Sequence, residues 1–215
     1  MNMTNKVKPL PESTQSVPPP KTYSHVVARW MVLPLLNTAV TPNHLTTLRL
    51  ITGLLAAFWF GMGEYFWTFC GGLMFVLSTL LDRADGELAR LGKLCSKGGH
   101  WYDLICDMIV NVMIFVGIGF GLAASSELGS WALIMGLVSG VSVGAIFLVV
   151  FQLHRSGSHP SIAFNYPKGF DLDDTLFVIA IFAWFDALLP LLIAAVIAAP
   201  AFLFFALWRS RQMAK

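Results

Sequence analysis

Apolar runs close to the length of a bilayer crossing follow one another along most of this chain. A helix needs about 20 predominantly apolar residues to cross the hydrocarbon core. Backbone polar groups in lipid must pair internally, so such a chain folds as helices or as a closed barrel. A barrel would show short segments of alternating polarity, and the runs here are continuous. Charged residues are 12% of the 215, against about 25% in a soluble domain. The prediction is an all-α, polytopic membrane protein. The formal net charge of +2 is too small to argue for nucleic acid as a partner. Cys70, Cys95 and Cys106 form no C-x-x-C and read as unpaired thiols.

Six transmembrane helices are expected, at roughly 45–62, 65–81, 104–124, 131–151, 175–189 and 191–208. The connections at 63–64, 125–130 and Pro190 are short; those at 82–103 and 152–174 are longer. Residues 1–21 are polar, end near Pro18-Pro19-Pro20, and read as a disordered N-terminal tail. Residues 22–40 carry His25, Arg29 and Trp30 among apolar residues, the pattern of an N-terminal amphipathic helix on the membrane surface. The six-helix domain then occupies 41–215. With six spans, both termini and both long connections share one side, which holds nearly every Lys and Arg. The positive-inside rule makes that side cytoplasmic. The expected location is a bacterial inner membrane, with the polar site facing the cytoplasm.

Chemistry gathers where the second span ends and the third begins. Asp82 and Asp85 are i,i+3 neighbours, and Asp103 and Asp107 are i,i+4 neighbours, so each pair shares a helix face. Carboxylates at a membrane edge are costly and need a reason. If the connection folds one helix against the other, all four converge, and four carboxylates cannot stay ionised together without cations. Oxygen-only ligands select Mg²⁺, Mn²⁺ or Ca²⁺. Gly86 and Ala89 would let a bulky group approach the backbone, and Arg90 offers a planar fork to phosphate. His100 reads as a loop or cap residue, and Glu87, Lys93 and Lys97 as solvated surface.

The pattern D-x-x-D-G-x-x-A-R-x8-G-x3-D-x3-D, filled by Asp82, Asp85, Gly86, Ala89, Arg90, Gly99, Asp103 and Asp107, resembles the signature of the CDP-alcohol phosphotransferase family. Upstream, Thr41-Pro42-Asn43 with Thr46 and Arg49 is similar to that family's T-P-N-x-x-T-x-x-R at the first transmembrane helix. The resemblance covers about 41–208. It implies six transmembrane helices and transfer of a phosphoalcohol from a CDP-alcohol donor to an alcohol acceptor, with release of CMP, in phospholipid biosynthesis. It implies two divalent cations, Mg²⁺ or Mn²⁺, held by Asp82, Asp85 and Asp103. Asp107 would lie close to them, as a further metal ligand and as general base. Gly86, Ala89, Arg90 and Gly99 would cradle the nucleotide, with Asn43 and Thr46 reaching it from the first helix. Arg155 and Lys168 are candidates for a phosphorylated acceptor, whereas Asp171, Asp173 and Asp174 would suit a cationic one or cap a helix. The competing class is a membrane cation transporter with an acidic intramembrane site, but an ion pathway has no need of the Gly86, Ala89, Arg90 and Gly99 framework.

The resemblance also implies a homodimer. Gly136, Gly140 and Gly144 form a smooth stripe on the fourth span, and Gly117 with Gly121 a similar pair on the third. These stripes are expected to contribute to the dimer interface; packing within one subunit is the alternative.

Overall fold

The structure is a computed structural model and describes residues 23–155 and 176–213. The expected tail (1–21), Lys168 and the three aspartates at 171, 173 and 174 lie outside the described residues. Among those described there are seven α-helices and no strand. They are α1 (Tyr23–Val32), α2 (Pro42–Gly61), α3 (Tyr65–Leu91), α4 (Lys97–Ser125), α5 (Ser130–Arg155), α6 (Phe177–Trp184) and α7 (Leu188–Met213), with a 3-10 turn at Leu33–Leu35 after α1. Four stretches are long and apolar enough to cross a membrane: Tyr65–Leu91, Lys97–Ser125, Ser130–Val149 and Leu188–Trp208. The protein is an all-helical membrane protein.

The boundaries differ from expectation where polar residues face inward. Charges at Asp82–Arg90 read as a loop, yet α3 runs through them to Leu91. The connection from α3 to α4 is therefore only residues 92–96, not 82–103. It is closed at both ends by hydrogen bonds. Leu94 N donates to Ala89 O at 2.9 Å and Lys93 N to Arg90 O at 3.4 Å, a Schellman pattern with Lys93 at φ 54° in the left-handed position. Ser96 then caps α4, its Oγ accepting from Gly99 N at 3.0 Å. Near the other end of the chain, the break expected at Pro190 falls at 185–187, where Asp186 has φ 54°. Pro190 sits in the first turn of α7, where no intrahelical donor is lost. The fifth expected span is described only as α6, eight residues long.

α2 is the centre of the bundle: it packs on both α3 and α4, while α3 and α4 barely touch each other. Ala56, Ala57 and Phe60 of α2 meet Phe75 of α3 and Val110, Ile114 and Ile118 of α4 in the main core. α5 packs on α4, and α7 on α5. The glycine stripes are used inside the subunit, which corrects the expectation that they serve a dimer interface. A Cβ on Gly136 would come 2.6 Å from the Phe115 carbonyl oxygen, and one on Gly140 2.9 Å from that of Val112, both in α4. Gly117 and Gly121 lie against the Ala57 and Phe60 carbonyls of α2. In lipid, where apolar burial drives little, such close backbone approach supplies the packing.

α1 packs on α3. Ala28 and Val32 join Leu45, Leu81, Ala84, Leu88 and Leu91 in a second small core. Tyr23, Val26, Val27 and Trp30 stay exposed on the outside.

Candidate active site

Because α3 and α4 diverge from their short turn around α2, a cleft opens between them at the α2 N-terminus. Thr41 precedes that helix, Pro42 occupies its first turn, and His44 Nδ1 accepts from Thr41 N at 3.3 Å. The first turns of α2 thus form one wall of the cleft, the last turns of α3 the second, and the first turns of α4 the third.

Three of the four aspartates meet there. One carboxylate oxygen each from Asp82, Asp85 and Asp103 lies within 4.8 Å of the others. Asp85 is buried, and its Oδ2 accepts from Thr46 Oγ1 at 2.6 Å. Asp103 Oδ1 is buried with no hydrogen-bond partner. A buried carboxylate oxygen left unpaired beside two further carboxylates is costly, and a cation is what removes the cost. The donor set is oxygen only, which fits a hard divalent cation.

Asp107 is set apart from this group. Its Oδ1 is paired with the Nη1 nitrogen of Arg49. Arg49 is 4% exposed, and its Nε also lies 3.4 Å from Asp82 Oδ1. Arg49 is the residue that the sequence reading passed over. It stands in the upstream motif, which by itself assigns it no role. The signal was present: an arginine one turn inside an apolar helix needs an acid, and the unmatched acids were the four aspartates.

The remaining motif residues line one cavity of about 230 Å³: Asn43, Thr46, Gly86, Ala89, Arg90 and Gly99, together with Asp85, Asp103 and His100. A Cβ on Gly86 would sit 3.5 Å from Arg90 Nη1, in the space beside the guanidinium. A Cβ on Gly99 would come 3.2 Å from Asn43 Oδ1 and 2.9 Å from the capping Ser96 Oγ. Glycine at 99 therefore lets α4 start against the α2 N-terminus. Of the acceptor candidates, Arg155 is the last residue of α5, with its side chain outside the described residues, as is the whole of Lys168.

Glu87 departs from expectation. Read as solvated surface, it is 2% exposed and accepts from Arg29 of α1 and from Arg90.

Residues 39–210 match the family model described as CDP-alcohol phosphatidyltransferase. The chain is 26% identical over 169 residues to the Bifunctional IPC transferase and DIPP synthase of Aquifex aeolicus, covering 75% of this chain and 37% of that protein. It is 31% identical over 87 residues to the Archaetidylinositol phosphate synthase of Pyrococcus horikoshii, covering 40% of this chain and 45% of the relative. A Thermococcus kodakarensis protein with the first name is 35% identical over 77 residues, which are 36% of this chain and 17% of that one. The chain thus spans less than half the length of each of these relatives. The family match runs from just before α2 into α7 and takes in every wall of the cleft, so the chain belongs to the CDP-alcohol phosphatidyltransferase family.

Proposed function

We propose that this protein transfers a phosphoalcohol from a CDP-alcohol to a hydroxyl acceptor, forming a phosphodiester of a phospholipid and releasing CMP. One observation carries the reading. Asn43 and Thr46 of one motif and Gly86, Ala89, Arg90 and Gly99 of the other line a single cavity, and two of the clustered carboxylates, Asp85 and Asp103, open into the same space. Asp82, Asp85 and Asp103 would hold two divalent cations, Mg²⁺ or Mn²⁺, which when bound neutralise the diphosphate and make CMP a good leaving group. Arg90 pairs with phosphate oxygens, while Gly86, Ala89 and Gly99 leave room for the nucleotide against the backbone. Asn43 and Thr46 border it from α2, and Thr46 also holds Asp85 in place. Asp107, oriented by Arg49, takes the proton from the acceptor hydroxyl. The acceptor oxygen attacks the phosphorus of the retained phosphoalcohol, and the bond to the CMP phosphate breaks. The relatives' names, with inositol phosphate in one, favour a phosphorylated polyol as acceptor, for which Arg155 and Lys168 are the available cations.

The membrane arrangement belongs to the same reading. α2 and the fifth expected span, at about 175–189, complete six crossings. α2 misses the apolarity of a span because Thr46, Arg49 and Thr52 turn inward, as their burial requires. The cleft then faces the side rich in Lys and Arg, the cytoplasm. α1 lies at that surface as the amphipathic juxtamembrane helix, and the protein is a homodimer through faces other than the glycine stripes.

The test is CMP release by purified protein in lipid, with Mg²⁺ or Mn²⁺ and a panel of CDP-alcohols. Lipid-linked and water-soluble acceptors are supplied in separate arms. Release that depends on both metal and acceptor is expected. A protein that binds divalent cations yet releases no CMP with any donor would overturn the proposal.

A further inference from the structure

Glu87 lies outside the aspartate cluster, and the residue type at its position is not fixed by the eight-residue pattern. It is nevertheless more deeply buried than Asp85, at 2% exposure against 5%. Its two oxygens divide their partners. Oε2 accepts from Arg29 Nε and Nη2, each at 2.9 Å. Oε1 accepts from Arg90 Nη2 at 2.7 Å and lies 3.1 Å from His25 Nδ1. His25 and Arg29 belong to α1, 62 and 58 residues away in sequence. One buried carboxylate thus ties the N-terminal helix to the arginine that lines the cavity.

That tie decides where Arg90 can be. A free arginine samples many rotamers and loses that freedom when it binds a ligand. Here Nη2 is anchored, and the guanidinium is held beside Gly86, where the backbone leaves space for it. A partner behind a binding group fixes its orientation in advance, so less ordering remains to be done on binding.

We infer that Glu87 is a positioning residue: it sets the Arg90 guanidinium for a diphosphate and, through Arg29, makes α1 part of the donor site. The inference rests on the donor reading above. Its test uses the full chain in nanodiscs, with CDP and Mg²⁺ as the probe and equilibrium binding as the readout. Arg90→Ala and Glu87→Gln should each weaken CDP binding about ten-fold, but Glu87→Gln in an Arg90→Ala background should add less than about two-fold, because it acts through Arg90. Glu87→Asp keeps the charge beside Arg29 and withdraws the carboxylate by one methylene. It should weaken binding in the same Arg90-dependent way, and it serves if Glu87→Gln does not fold. Equal losses with and without Arg90 would mark a merely structural residue and overturn the inference, as would unchanged affinity in both Glu87 variants. A wild-type protein that fails to bind CDP would overturn the donor reading itself and this inference with it.

Discussion

The last turns of α3 belong to two clusters of acid and base with opposite balances. In the first, Asp82, Asp85 and Asp103 gather, and Arg49 pairs with Asp82 and with Asp107 beside them. In the second, Glu87 alone meets Arg29, Arg90 and His25. The first crowds its carboxylates together, and one of its oxygens, Asp103 Oδ1, is buried without a hydrogen-bond partner. The second carboxylate is fully engaged by the protein's own side chains. The same residue chemistry, only two residues apart on one helix at Asp85 and Glu87, therefore serves two ends. A deficit of positive charge makes a receptor for a cation, and a surplus fastens two helices and leaves an arginine for an anion.

The sharpest way to break this contrast is to neutralise one member of each cluster. Asp85→Asn or Asp103→Asn should cut metal-dependent CMP release by on the order of 10³-fold or more, since each removes charge from the metal site. EDTA should do the same to the wild type, reversibly on adding Mg²⁺. Metal-free Asp103→Asn should nevertheless unfold at or above the wild-type temperature, because it relieves repulsion. Activity surviving complete metal removal would end the distinction.

A smaller loss of turnover, about 10²-fold, is expected for Asp107→Asn if it accepts the proton. CDP affinity should fall less in this variant than in Asp85→Asn, which titration of the two proteins side by side would show. Glu87→Gln should act on the opposite property. Removing the one carboxylate among three basic groups should cost ~3–5 kcal/mol of stability, as for other broken buried pairs. Thermal unfolding would reveal it, and Mg²⁺ should not restore it. Arg49→Met joins the two behaviours. The metal-free protein should lose stability, and Mg²⁺ should recover more of it than in the wild type, seen as a larger metal-induced rise in melting temperature. The smallest effect belongs to Arg155→Ala and Lys168→Ala. Each should raise the acceptor KM about three-fold and leave CDP binding unchanged, in keeping with the small worth of a single charge pair.

How far the sequence reveals these clusters follows from the distances involved. Asp82, Asp85 and Asp103 were legible because helical spacing brings each pair to one face. Gly86, Ala89, Arg90 and Gly99 were legible because their pattern is that of the family. The second cluster was not, because Glu87 looks like any helical surface acid until α1 returns from some 60 residues away. Inward-facing polar residues hid the helix ends in the same way. They lower the hydropathy of α2 and of the end of α3, and a hydropathy reading takes that for a loop or a marginal span. The glycine stripes mark places of close backbone approach, but periodicity does not say which helix approaches.

That α3 and α4 rest on α2 and hardly on each other has a consequence for how the site comes into being. Chain order is also the order of synthesis, so the wedge exists before either wall it holds apart. When the five-residue turn brings Asp103 back towards Asp85, it does so against a surface that already carries Thr46 and Arg49. The acids of α4 therefore enter the membrane edge with a counter-charge waiting for them. At no stage of its biogenesis need the protein hold the four together bare.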